Sequence, residues 1–225
     1  MDKIAIEKQA RLVQFEIWSR RDALFPLGVP SPLVMFQPDL AARVLGLEYE
    51  YREGLGRFGQ RRDKFETAGM IDRRRGIIAV STRFPYPTQR FTGAHEIGHY
   101  VMHPGEVMHR DRPIYDITNH ARKPMEQEAD YFAACFLAPK KLVEERFAAH
   151  FLKVPLPLNE DVAWNLLGEA SHELLGPSAG SLDFAAAVAG AKAFNGKRFT
   201  SLADYFGISV SAMAIRLQEL GLLAE

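Results

Sequence analysis

Apolar residues recur at helical spacing from the start of the chain. Ile6, Ala10, Val13, Ile17 and Leu24 predict one amphipathic helix over residues 3–24, ended by Pro26, Pro30 and Pro32. Pro38 to Gly46, with proline at its start and glycine at its end, predicts a second, short helix. Between Leu47 and Thr88 the pattern changes to short β-like runs. Glu66 to Ile71 and Ile77 to Ser81, separated by Asp72-Arg73-Arg74-Arg75-Gly76, read as two strands joined by a polar turn. Helical spacing returns at Phe91, Ala94, Ile97 and Val101, with Thr88 or Thr92 after Pro87 as caps and Pro104-Gly105 as the stop. Pro124 to Leu137 predicts a further helix, with acids in its first turn, an apolar run from Phe132 and Pro139 beyond its end.

Beyond Pro155 and Pro157 the pattern predicts helical segments around Asp161 to Leu175 and Ser181 to Phe194, with a Gly176-Pro177 turn between them. Thr200 to Leu222 reads as a helix-turn-helix, with Gly207 in the turn and serines capping the second helix. The expectation is a predominantly helical α+β chain. Residues 1–153 would form one domain with a short β-sheet, and residues 154–225 a helical C-terminal region that contains the helix-turn-helix-like segment 200–222.

Composition narrows the class. At 225 residues and 47% hydrophobic content the chain can bury a real core. Its 28 acidic and 28 basic residues give no global pull toward nucleic acid or anionic membrane. Met1-Asp2-Lys3-Ile4 is not a signal peptide, and no apolar run approaches the roughly 18 residues of a membrane span. A single cysteine, Cys135, excludes an internal disulfide framework; a cytoplasmic location is expected. Residues 57–75 hold seven Arg or Lys against three acids, a solvated loop or a docking surface for an acidic partner. The helix-turn-helix segment has no basic surplus. Residues 195–225 set Lys197, Arg198 and Arg216 against Asp204, Glu219 and Glu225, with only Arg216 and Gln218 long enough to read base edges. Packing or partner docking is favoured there over direct DNA binding.

The chemistry concentrates in His95-Glu96-Ile97-Gly98-His99. On a helix, residues four apart lie about 6 Å apart along the axis, so His95 and His99 can offer ring nitrogens to one metal ion. Glu96 leaves a neighbouring azimuth and can serve as general base to a water at the metal. A hydrolytic zinc site needs at least one more protein ligand, and the helix from Pro124 carries the carboxylates that can complete it. His103 continues the same stripe, but three successive turns span about 12 Å and cannot surround one tetrahedral ion. His109, His120, Tyr100 and Tyr131 are candidates to stabilise an oxyanion. Cys135 is a buried thiol or, less simply, an inhibitory ligand. Ile77, Ile78, Ala79, Val80 and Ser81 are the candidate substrate-binding edge strand, the alternative being a core strand under the helix.

R-F-T-x-A-H-E-x-G-H-Y followed by E-x-E-A-D-x-F-A-x-x-x-L-A-P resembles the ImmA/IrrE metallopeptidases over roughly residues 3–145. The resemblance implies a small gluzincin-like domain with one Zn2+ per chain, His95 and His99 as ligands, Glu128 as third ligand and Glu96 as catalytic glutamate. Glu126 is the fallback third ligand on spacing alone, and Glu126 or Asp130 can hydrogen-bond a ligand imidazole. The family also implies a narrow substrate, a partner helix-turn-helix transcriptional repressor cleaved once to release stress, phage, mobile-element or defence genes. The competing expectation is a non-catalytic zinc-containing regulator that acts through its C-terminal helices. The intact Glu96 speaks against it, because a structural site needs no acid there.

Overall fold

The computed structural model describes residues 1–58, 65–105, 108–111, 123–176, 180 and 182–224. They form two compact units, Met1–Leu137 and Ala138–Glu225.

The first unit opens with α1 (Lys3–Ser19), whose N-cap Asp2 accepts from the Ala5 N–H at 3.1 Å and which buries Ile6, Ala10, Val13 and Ile17. It stops at Arg20, and Leu24 belongs to a separate turn, α2 (Arg21–Leu24). The short helices α3 (Pro32–Met35) and α4 (Pro38–Val44) follow. Gly46, at φ +76°, takes the left-handed conformation that ends α4. Next come β1 (Glu48–Arg52), β2 (Arg57–Phe58), β3 (Phe65–Glu66), β4 (Gly69–Asp72), β5 (Ile77–Ser81), α5 (Tyr86–Met102), β6 (Met108–Asp111) and α6 (Pro124–Leu137).

The main sheet has the order β1-β5-β4-β6, with β1 parallel to β5 and the other neighbours antiparallel. The edge-strand expectation for Ile77–Ser81 is therefore corrected. β5 has a strand on both sides, and all five of its residues are buried, so its backbone is not open to a substrate. An unbroken apolar run is the mark of a strand covered on both faces, and it does not say whether the strand's hydrogen-bonding edges are paired. Among the described residues the edges belong to β1 and β6. The turn from β4 to β5 is held by Asp72, whose Oδ1 accepts from the N–H groups of Arg74 (3.0 Å) and Arg75 (3.2 Å).

α5 begins earlier than its threonines suggest. Pro85 precedes it in extended conformation and Pro87 occupies its first turn, where a missing N–H costs nothing. Thr92 is inside the helix and 1% exposed, so it packs and does not cap. Every residue from Arg90 to His99 is buried, because α4, α6, β4 and β5 all pack on this helix. α6 matches its predicted span, and Gln14 of α1 donates to its last carbonyls, at Cys135 (3.2 Å) and Phe136 (3.0 Å).

The second unit comprises α7 (Lys140–Phe151), β7 (Leu156–Pro157), α8 (Glu160–Leu167), a 3-10 turn (Gly168–Ser171), α9 (His172–Leu175), α10 (Asp183–Gly190), β8 (Ala193–Phe194), β9 (Lys197–Arg198), α11 (Leu202–Phe206), α12 (Val210–Glu219) and β10 (Leu223–Ala224). The sequence-based boundary at residue 153 falls inside this unit, between α7 and β7. α11 and α12 lie on the segment read from sequence as a helix-turn-helix. Ser201 Oγ accepts from Asp204 N–H and Ser209 Oγ from Ala212 N–H, both at 3.1 Å, and Gly207 turns the chain at φ +61°. Arg216, a candidate for base edges, is 1% exposed; its Nε donates to the Ala138 carbonyl at 3.2 Å and it pairs with Glu219 at 3.5 Å. No helix among the described residues is long and apolar enough to cross a membrane.

Candidate metal centre

The crossing of α5 and α6 places the site. Gly98 makes it possible: a Cβ there would lie 3.1 Å from Phe132 Cδ1 and 3.2 Å from both the Cα and the carbonyl oxygen of Ala129. With the helix backbones this close, the side chains that flank the contact, His95 and His99 on α5, Glu126 and Asp130 on α6, meet one another. Gly69 of β4 does the same on the sheet side, since a Cβ there would clash with Thr92 Cγ2 and approach Glu96 Oε1 to 3.0 Å.

His95 Nε2 and His99 Nε2 are 2.9 Å apart, and both residues are fully buried. Glu126 closes the triangle, with Oε2 3.6 Å from His95 Nε2 and Oε1 3.8 Å from His99 Nε2. Donors about 2.0–2.2 Å from one tetrahedral ion stand roughly 3.3 Å from each other, so these separations bracket what a single zinc-sized ion requires. The donor set, two imidazoles and a carboxylate, also leaves one tetrahedral position open. His95, His99 and Glu126 thus fit a metal ion, with all donor atoms within 4.8 Å of one another.

The structure places the other sequence candidates around this group. Glu128, which the resemblance implies as third ligand, sits with Oε2 3.1 Å from His103 Nε2. Residues two apart on a helix point about 200° away from each other, so α6 can present Glu126 or Glu128 to the pair, and it presents Glu126. Asp130, one turn after Glu126, meets His95 Nδ1 at 2.9 Å with Oδ1. His103 caps α5 and contacts His99, Nδ1 to Nδ1, at 3.0 Å. Glu96 is fully buried beside β4. Tyr49 of β1 reaches toward Gly93, where a side chain would collide with its hydroxyl. Burial first, then Tyr51 and Asp39, hold the Tyr49 phenol well above its ordinary value, with the Glu96 charge adding to the effect.

Tyr131 donates its hydroxyl to Glu7 at 2.8 Å, and the Tyr100 ring lies 4.7 Å from the Arg73 guanidinium, so both tyrosines are engaged elsewhere. His120 and the side chain of His109 lie outside the described residues. Cys135 is a buried thiol. Of the basic run, Arg61, Arg62 and Lys64 fall outside the described residues, while Arg73 has a role that a solvated loop does not suggest. Its Nη2 donates to the carbonyls of His99 (2.6 Å), Tyr100 (2.6 Å) and His103 (3.0 Å) at the C-terminal end of α5, where the His99 carbonyl also accepts from the His103 N–H at 3.0 Å. It stands in the turn directly after β4, the strand that packs on this helix.

Residues 54–156 match the model of a peptidase family described as the IrrE N-terminal-like domain. That stretch is similar to an IrrE-like peptidase domain. The match spans β2 to β7 and contains both α5 and α6, so every member of the metal group falls within it. No curated protein matches the chain.

Proposed function

We propose that the IrrE-like domain is a zinc-dependent endopeptidase, with His95, His99 and Glu126 as the ligands and Glu96 as the general base, and that it cleaves a partner helix-turn-helix transcriptional repressor at one site. The observation that carries the proposal is the convergence of two buried imidazole Nε2 atoms and a carboxylate, on adjacent helices of a peptidase-family domain, next to a fully buried glutamate. A zinc ion held by these residues supplies a Lewis acid that polarises the scissile carbonyl and acidifies a water.

The chain's own residues supply the remainder. Glu96, shielded from bulk solvent, accepts a proton from the attacking water and delivers it to the departing amine, so one carboxylate serves as base and then as acid. Asp130 orients His95 through its Nδ1. The substrate class rests on the family resemblance together with a helix-turn-helix unit that has spent Arg216 on its own backbone. That unit is suited to partner contact more than to reading DNA. Cleavage of such a repressor would release the stress, phage, mobile-element or defence genes it controls.

The test is co-expression with candidate helix-turn-helix repressors, with each partner's mass measured for wild type and Glu96→Gln. One cut that requires Glu96 sustains the proposal and locates the scissile bond. An intact partner in both, with zinc confirmed bound, removes the repressor as substrate.

A further inference from the structure

The backbones that carry the two imidazoles are not equally secured. His95 lies in the interior of α5, whereas His99 lies four residues before the cap residue His103, in the turn where a helix frays first. The His99 carbonyl accepts from the His103 N–H at 3.0 Å. The next donor along the helix would come from residue 104, and Pro104 has no N–H, so the Tyr100 carbonyl lacks its helical partner. Arg73 supplies the donor that is missing. Its Nη2 reaches the carbonyls of Tyr100 and His99, both at 2.6 Å, and of His103 at 3.0 Å, while the guanidinium lies 4.7 Å from the centre of the Tyr100 ring. The turn that delivers it is held independently of α5. Asp72 Oδ1 accepts from the N–H groups of Arg74 and Arg75 at 3.0 and 3.2 Å, and the side chains of those two arginines are exposed. Of three consecutive arginines it is Arg73 that meets the helix.

We propose that Arg73 is a positioning residue for the metal centre. Its positive charge, brought by the sheet to the negative end of the helix dipole, keeps the last turn of α5 wound. His99 then stays one turn beyond His95 on the same face of the helix, where both rings can meet Glu126. The proposal rests on His95, His99 and Glu126 being the metal centre. It gives one member of the basic run a task that a count of charges does not show. It also ties the sheet to the site at two points, since Gly69 at the start of β4 approaches Glu96 and Arg73 just beyond its end holds the backbone of His99.

The test reads metal affinity and the end of the helix, not turnover, under conditions where each variant is folded. In zinc competition against a chromophoric chelator, Arg73→Met is expected to bind about 10- to 100-fold more weakly than wild type. It is also expected to shift the visible bands of the cobalt-substituted protein and to speed hydrogen exchange at the His103 amide. Arg73→Lys keeps a positive donor on a flexible stem and is expected to recover most of the affinity and the wild-type bands. Arg216→Met, which loses a buried contact in the second unit, is the control for lost stability and is expected to keep wild-type affinity. Wild-type affinity and bands in Arg73→Met overturn the proposal and leave Arg73 a cap with no bearing on the metal. Equal losses in Arg73→Met and Arg73→Lys overturn it as well, because charge at the helix end would then not be what holds His99. A matching loss in Arg216→Met overturns it too, since stability alone would set affinity. If Arg73→Met does not fold, Arg73→Gln, uncharged and shorter, is read by the same measurements with the same outcomes. Wild-type zinc binding in Glu126→Gln sinks the metal-centre assignment itself, and that result is separate from the others.

Discussion

Each unit buries charged or polar side chains on a helix, but the two do so to opposite ends. In the first, His95, Glu96 and His99 are fully buried within one and a half turns of α5, and the polar atoms of the two histidines converge with those of Glu126 and Asp130. In the second, Arg216 of α12 is just as buried, yet its donors go outward to the Ala138 carbonyl and to Glu219 on its own helix. Burial of a polar residue therefore does not mark a site. Several buried groups that point at one volume with more lone pairs than protons do mark one, because such an arrangement is costly unless a cation enters it. A buried arginine that satisfies a backbone carbonyl is an internal splice.

The sharpest way to break this comparison is to remove one member from each role. Glu126→Gln is expected to abolish stoichiometric zinc binding, measured by metal content after gel filtration. Glu96→Gln keeps the zinc and loses about 100- to 10,000-fold in turnover, measured on the cleaved partner. If both variants lose metal alike, Glu96 belongs to the ligand set and not to the proton path.

Arg216→Met is the counterpart in the second unit. It removes the donor to the Ala138 carbonyl and the ion pair with Glu219 while filling most of the volume, at an expected cost of about 1–3 kcal/mol in stability by denaturant titration. Zinc affinity per folded molecule should not change. A variant that lost metal without losing stability would tie Arg216 to the centre and dissolve the contrast. Gly98→Ala sits between the two kinds of effect. Its methyl meets the Ala129 backbone at 3.2 Å, so α5 and α6 must separate by a few tenths of an ångström. Overpacking of this kind costs about 1–3 kcal/mol, and zinc affinity should fall with stability because the ligands come from both helices.

Much of this was visible in the one-dimensional pattern. Helix α6 was bounded correctly by Pro124 and Pro139, and His95, Glu96 and His99 were placed by four-residue spacing alone, because both signals are local. The third carboxylate was not decidable that way. Glu126 and Glu128 are equally plausible along the chain, and which one meets the histidines depends on the rotation of α6 at the Gly98 contact, a tertiary quantity. The same reason hid Arg73, whose three carbonyl contacts lie 26 to 30 residues away. The position of β5 is not legible in its own residues, because an edge is defined by its neighbours. The pairing partner β1 comes from residues 48–52, where an exposed, charged strand gives little hint that it will lie parallel to an apolar one.

The smallest predicted effect concerns the one second-unit histidine with a displaced pKa. His150 of α7 stacks on Phe199 with ring centroids 3.9 Å apart and planes at 14°, and its Nε2 is buried without a hydrogen-bond partner among the described residues. Burial chiefly, and the charge of Arg146 second, push its pKa below the ordinary value. The unfolded chain takes up a proton as pH falls through about 6.5, whereas the folded ring resists it, so stability is fully present above that pH and is lost progressively below it. His150→Gln removes the ring that must stay neutral. Between pH 7 and pH 5.5 its melting temperature should fall less steeply than that of wild type, while at pH 7.5 it should be lower for want of the Phe199 stack. An unchanged slope would mean that the ring is solvated when folded, and that in this unit the aromatic contacts around Phe151 and Phe199 set the stability with no contribution from proton uptake.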